Sequence, residues 1–338
     1  MTILAPIIVF GLIVLIHEGG HFITAKMTGM KVEEFAVGFG PKIWSCRKGE
    51  TVYSLRLIPL GGFNKIMGMA PGESSDPRAF CARPVWQRLI VISAGSVMNI
   101  FSAFLIFAGL FVAVGIQTFP NQPVIGAVLP DSPAQAADLR PGDRILAVNG
   151  QAVSQWTELA ERLSLRPNQV VAVSYERGGE QRSISVIPED NGHGRAVIGV
   201  TPFMESRSVS PGEAAVLGAD RCLFVIQAVL SGIGAMIAGG TADVSGPIGV
   251  ARMAGTVAET GALQFLLFIA VLSLNLGVLN LFPIPLLDGG LFFLTLAEAV
   301  LRRPLPDRAL YYIQTAGIMI LLSLFMLGMI NDLSALSR

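Results

Sequence analysis

Four apolar stretches, residues 3–26, 89–115, 262–287 and 313–330, each come near the roughly 20 residues that a helix needs to cross the hydrocarbon core of a bilayer. In a chain of 338 residues, 52% hydrophobic and only 14% charged, that much apolar surface exceeds what one soluble core can hide. The expected fold is a polytopic α-helical membrane protein with four transmembrane helices. A fifth run, 222–238, has about 17 residues, the bottom of the spanning range, and Gly232, Gly234, Gly239 and Gly240 weaken it as a helix.

The formal net charge is zero, which argues against a nucleic-acid partner, but the charge is unevenly spread. All five lysines (Lys26, Lys31, Lys42, Lys48 and Lys65), with Arg47, Arg56, Arg78, Arg83 and Arg88, lie between the first two spans. Positive charge favours the cytoplasmic side, so this loop is expected inside and the N-terminus outside. The first span lacks a basic leader and an evident small-residue cleavage site, and is expected to be retained. Cys46, Cys81 and Cys222 are odd in number, with the first two in the cytoplasmic loop, so no disulfide framework is expected. Cys222 reads as a small buried apolar residue.

The first span carries His17-Glu18-Gly19-Gly20-His21, although histidine and glutamate are costly in hydrocarbon and usually serve a function there. On a helix the two histidines share one face, so both imidazoles can reach one Zn²⁺ while Glu18 stands beside it as a general base. Each glycine costs about 1 kcal/mol of helix stability, which a close approach of backbone or substrate would justify. A catalytic zinc site takes three protein ligands, and the best third candidate is Asp288 in Asn280-Leu-Phe-Pro-Ile-Pro-Leu-Leu-Asp288-Gly. Pro283 and Pro285 break the helix before it, which lets the chain turn the carboxylate inward. Asn275, Asn280 and Pro285 at similar depth are candidate substrate contacts.

His17 and His21 fall in the cytoplasmic half of a span that runs inward, and Asp288 must come to the same side. If 222–238 crossed the membrane, Asp288 would be delivered to the opposite face. That run is therefore expected along the external surface or re-entering, with the C-terminus outside and the Arg302-Arg303…Arg308 connection inside.

From Gln117 to Pro188 the composition turns polar, with β-branched runs at 124–128, 170–175 and 183–187 and a helical pattern at 157–163. A small α/β domain facing outside is expected there. In the cytoplasmic loop, 32–39 and 52–65 have strand character with glycine turns, and β-hairpin elements there can lie against the membrane if protein satisfies their backbone. Within it Tyr53, Leu55, Gly61, Gly62 and Phe63 are candidates to hold a substrate extended. His193, alone in a glycine-rich loop, is given no role.

With these residues in place the chain resembles the site-2 protease family of intramembrane metalloproteases, in its bacterial regulator-of-sigma-E branch. The resemblance runs nearly end to end. It rests on the His17 and Asp288 motifs and on Val37-Gly-Phe-Gly-Pro41, Tyr53-Ser-Leu-Arg-Leu-Ile-Pro-Leu-Gly-Gly-Phe63 and Ser245-Gly-Pro-Ile-Gly-Val250. The outer domain looks like a PDZ module, with Pro123-Val-Ile-Gly126 as the peptide-end-binding turn. Val124, Ile125 and Gly126 are then its groove, which takes a peptide as an added strand. Three features depart from the family pattern: one PDZ-like module instead of a tandem pair, Gly95-Ser96-Val-Met-Asn99 where Gly-Pro-x-x-Asn is usual, and Leu291 where a histidine is frequent.

The expected map is 1–116 for two spans with the β loop, 117–190 for the PDZ-like domain, 191–261 for a linker with a membrane-surface helix, and 262–338 for the last two spans. The resemblance implies one Zn²⁺ on His17, His21 and Asp288, with Glu18 catalytic, in a bacterial inner-membrane protein. Its termini and PDZ-like domain would be periplasmic and its active site toward the cytoplasmic half. It also implies single-span membrane-protein substrates of the anti-sigma-factor type, first trimmed by a site-1 type protease, or remnant signal peptides, in an envelope-stress response. The rival reading is a non-proteolytic zinc-containing membrane scaffold that binds peptide ends through its PDZ-like domain.

Overall fold

The computed structural model describes residues 4–69, 76–164, 168–190, 196–239, 246–303 and 305–336. His193, Gly240 and Ser245 lie outside the described residues. The chain opens with helix α1 (Leu4–Met27), a hairpin of β1 (Val32–Lys48) and β2 (Thr51–Ile66), and helix α2 (Val85–Val114). Next come β3 (Ile116–Thr118), β4 (Ile125–Val128), α3 (Pro133–Ala136), β5 (Arg144–Val148), β6 (Gln151–Ala152) and α4 (Trp156–Ser164). Strands β7 (Val171–Arg177), β8 (Glu180–Val186), β9 (Glu189–Asp190), β10 (Ala196–Val197), β11 (Val200–Pro202) and β12 (Glu205–Arg207) follow. Helices α5 (Pro211–Ile237), α6 (Pro247–Thr260), α7 (Ala262–Asn280), α8 (Asp288–Leu301) and α9 (Asp307–Leu336) complete it. Two compact units result, one of 1–112 with 210–338 and one of 113–209.

In the helical unit, α1 buries Ala5, Val9, Ile13, His17, His21 and Ala25. These positions recur every fourth residue, so both histidines belong to the stripe that faces protein. Beyond α1 the antiparallel hairpin folds back, and Phe22 on α1 meets Phe35 and Tyr53 edge-on at 5.1 and 5.8 Å. Tyr53, a substrate candidate on sequence, is thus part of the packing that seats the hairpin. Gly62 is bare where β2 crosses α1: a side chain would press the Ala36 carbonyl, Glu18 Cγ and Val14. Glu34 accepts hydrogen bonds from Ser54 Oγ (2.7 Å) and Arg56 (2.8 Å) and pairs with Lys42 (3.0 Å), tying the two strands together.

Among the described residues five helices are long and apolar enough to cross a membrane: Leu4–Met27, Val85–Val114, Pro211–Met236, Ala262–Asn280 and Arg308–Ala335. The expectation of a short fifth run needs correction, because 222–238 belongs to a helix that begins eleven residues earlier, at Pro211. Ser210 caps it by accepting from the Glu213 backbone, and Pro211 stands in the first turn. Nor is α5 a detached surface element. Gly218 lies against Ala108 of α2, and Cys222 and Val225 pack with Ala103, Phe107, Ala270 and Leu274. Ser273 of α7 bonds Ser102 at 3.0 Å, and Gly277 sits against Ser96 and Asn99, so α7 runs antiparallel to α2. By the same order of contacts α5 runs antiparallel to α2 as well. Helix α6 packs against α1 and α7, with Ala254 among Val9, Ile13 and Ile269. Its N-terminus is capped by Asp332 of α9, which accepts from the Gly246 and Gly249 amides at 2.9 Å.

The third expected span, 262–287, ends as a helix at Asn280; Pro283 and Pro285 then reverse the chain, with Leu286 at a positive φ of 79°. Helix α8, which the sequence reading did not separate, starts at Asp288.

The second unit is built on an antiparallel sheet in the order β6-β5-β7-β8. β7 buries Val171, Val173 and Tyr175 in strict alternation. Arg177 pairs with Glu180 across Gly178-Gly179, both at positive φ, the two-residue turn that suits strand twist. Residues past 190 belong to this unit too, since β11 pairs with β4 and β12 with β3.

Candidate metal centre

His17 and His21 on α1 and Asp288 at the head of α8 are the group of residues that can hold a metal ion among those described. Nε2 of His17 and Nε2 of His21 are 3.3 Å apart, and Asp288 Oδ2 lies 3.3 Å from the first and 3.4 Å from the second. A tetrahedral zinc site with ligand bonds near 2.05 Å has edges of about 3.3–3.4 Å, so three donors already stand at the corners of such a face. Both histidines are 8% exposed. Two nitrogens and a carboxylate oxygen converging at this spacing fit a divalent cation, and zinc suits an N₂O donor set.

Each of the three side chains arrives by a local device. Its place in the stripe aims each histidine inward. Asp288 is positioned by the turn after α7: side chains on Gly289 or Gly290 would strike the carbonyls of Phe282 and Ile284, so the chain doubles back more tightly than any other residue permits. Helix α2 backs the group at Gly95, where a Cβ would collide with Nε2 of His21. Around the ligands, His21 Nδ1 meets the Val91 carbonyl at 2.7 Å, Ser96 Oγ donates to Asp288 Oδ2 at 3.2 Å, and Asn99 lies beside His17.

Glu18 opens into a pocket of about 200 Å³ lined by His17, Glu18, His21, Phe63, Asn64, Ile66, Met69 and Asp288. Asn64 Nδ2 donates to both the backbone oxygen of Glu18 (2.7 Å) and its Oε2 (2.8 Å). The sequence reading passed over Asn64 and gave Ser96 no function. Both bonds span elements far apart in the chain, and no local pattern announces them.

Of the expected substrate-contacting residues, Phe63 lines this pocket and Asn275, Asn280, Pro285, Tyr53, Leu55, Gly61 and Gly62 do not. Pro285 packs on Gly317 of α9, and Gly61 lies under the Phe39 ring. The Asn275 amide oxygen is buried without a partner among the described residues.

The expected peptide groove at Val124, Ile125 and Gly126 is not an open edge. Ile125 is fully buried; its amide donates to Asp143 and its carbonyl accepts from Gly142, while β11 covers the other side. A concavity of about 610 Å³ lies instead between α4 (Trp156, Leu159, Leu163) and residues 196–200.

A family model described as peptidase family M50 matches residues 5–324. A Clostridium acetobutylicum protein bearing the name of a zinc metalloprotease is 33% identical over 335 residues, which cover 98% of this chain and 97% of that one. Zinc metalloprotease RasP of Geobacillus kaustophilus is 30% identical over 98% of this chain and 97% of its own. The regulator of sigma-W protease RasP of Bacillus subtilis is 29% identical over 99% of each. Among solved structures, the PDZ domain of the SdrC-like protein of Listeria monocytogenes aligns with 26% of this chain and 93% of its own, at 21% identity and a TM-score of 0.23.

Proposed function

The chain belongs to peptidase family M50 and is a zinc metalloprotease, and on that premise we propose that it hydrolyses peptide bonds of membrane-embedded segments at His17, His21, Glu18 and Asp288. The observation that carries this reading is the triangle of three donors with 3.3–3.4 Å edges, with the Glu18 carboxylate beside it in a pocket. His17 Nε2, His21 Nε2 and Asp288 Oδ2 would hold Zn²⁺, which when bound lowers the pKa of a water toward neutrality and polarises the scissile carbonyl.

Asn64 fixes Glu18 by its backbone oxygen and Oε2, which leaves Oε1 to take the proton from the attacking water. Glu18 then returns that proton to the leaving amide nitrogen. Phe63 of β2 lines the pocket, where an unwound stretch of substrate would lie. A substrate helix keeps its carbonyls bonded and must open before its bond reaches Glu18.

Placement in the membrane follows from charge. The hairpin and its flanks hold every lysine of the chain, so this end of the helical unit faces the cytoplasm and the 113–209 unit faces outside, in a bacterial inner membrane. Asp288 lies within 3.4 Å of His17 and His21 and so shares their depth, whether or not α5 reaches across. The outer unit serves as a PDZ-like filter whose apolar groove beside α4 receives a peptide end. Substrates are single-span membrane proteins of the anti-sigma type, with remnant signal peptides as a second class; resemblance to a protein named regulator of sigma-W protease supports this. A purely structural zinc in a scaffold would call for a fourth protein ligand, and the described residues group three.

The test is cleavage of a model single-span substrate by the purified chain in detergent. Glu18→Gln is expected to lower the rate by at least 10³-fold with zinc content unchanged, given the loss of an essential base. Full activity in that variant removes Glu18 from the mechanism.

A further inference from the structure

An imidazole that binds a metal through one ring nitrogen keeps its proton on the other, and that proton needs an acceptor, which fixes ring and tautomer together. Here both histidines turn Nε2 inward, toward each other and Asp288, so Nδ1 is the outer nitrogen of each. His21 finds its acceptor in the Val91 carbonyl at 2.7 Å. His17 instead faces the Asn99 amide nitrogen, Nδ2, at 3.4 Å, while the Asn99 amide oxygen is buried without a partner among the described residues. If Nδ2 donated to a bare Nδ1, the His17 proton would sit on Nε2 and block the lone pair that faces Asp288. If Nδ1 carried the proton, two N–H groups would point at one another. Neither state holds a metal. The nitrogen and oxygen ends of an amide have nearly the same shape, and a half-turn about the last side-chain torsion exchanges them.

We propose that Asn99 is the positioning residue for His17, its amide turned so that Oδ1 accepts the His17 Nδ1 proton and commits Nε2 to the metal. This rests on the reading of His17 as a ligand. Asn99 is fully buried, and its backbone oxygen is itself engaged by Ser102 and Ser273 hydroxyls at 2.9 and 3.1 Å, so the residue is held from the next turn of α2 and from α7. Helix α2 thereby supports all three ligands: the Val91 carbonyl for His21, Ser96 for Asp288 and Asn99 for His17. Gly95 between them gives the helix room to come that close.

Zinc affinity of the full-length chain in detergent, measured by competition with a chelator, separates the possibilities. Asn99→Leu keeps the shape and removes the acceptor, and is expected to weaken zinc 10–100-fold. Asn99→Asp offers only acceptors and is expected to bind zinc as tightly as the parent or more so. A tenfold or greater loss in Asn99→Asp overturns the proposal, because it makes Nδ2 the end in use; unchanged affinity in Asn99→Leu overturns it too. Should Asn99→Leu fail to fold, Asn99→Asp alone decides. His17→Ala serves as the control: zinc affinity unaltered by that change overturns the ligand reading itself, whatever Asn99 does.

Discussion

Two glycines side by side in α1 have different reasons to be there. A side chain on Gly20 would run into the Ala94 carbonyl of α2, whereas nothing lies within 4 Å of one on Gly19. Gly20 marks the point where α1 and α2 touch, one residue before His21, so prising the helices apart there pulls Nε2 off its corner of the triangle. Gly19→Ala is expected to raise the melting temperature, since it relieves about 1 kcal/mol of helix cost, and to keep zinc. Gly20→Ala is expected to lower it and lose zinc. Thermal unfolding and metal analysis of the pair check this, and equal behaviour would sink the close-approach argument. The candidate metal group was legible because His17 and His21 are local, with Glu18 beside them, and Asp288 could be reached by asking which side of the membrane it must occupy. Asn64 and Ser96 were not, because their bonds cross 46 and 192 residues of chain and depend on how β2 and α2 dock.

The same contrast governs the elements. Span-length apolar runs declare themselves, while α5 hid behind its glycines because its cap at Ser210 lies twelve residues before the apolar run. The expected groove meets occupied edges for a related reason: a strand-like sequence at 124–126 does not say which of its edges are already taken. In the β1–β2 hairpin, burial pushes the Glu34 carboxyl up, but hydrogen bonds from Ser54, Arg56 and Lys42 outweigh it and hold it at about 2. A carboxyl lowered on folding stabilises above its unfolded value of 4.5 and loses that contribution as the pH falls toward about 2. Protease nicking or amide exchange in the hairpin is therefore expected to rise through that window in the parent, and to be insensitive to it in Glu34→Gln, which is looser throughout. A hairpin equally protected at pH 7 and pH 2.5 contradicts the linkage.

At the scale of the molecule, residues 113–209 carry a core of their own, with Ile125, Ile145, Leu159, Val171, Val173 and Ile198 among its buried members. The bidentate pair of Arg177 on Asp143, both bonds 2.7 Å, clamps β7 to the turn before β5. A fragment of these residues alone is expected to unfold in one cooperative denaturant transition, as small domains with a closed core do. Gradual, non-cooperative loss of structure would count against an independent unit.

The β3–β12 pair brings the two ends of this insert side by side, Ile116 opposite Arg207 and Thr118 opposite Glu205. Closing a loop costs entropy only as the logarithm of its length, about 0.6 kcal/mol for each doubling. For the helices that the insert interrupts, a second module of equal size spliced in at this neck would shift the folding equilibrium by a factor of only about three.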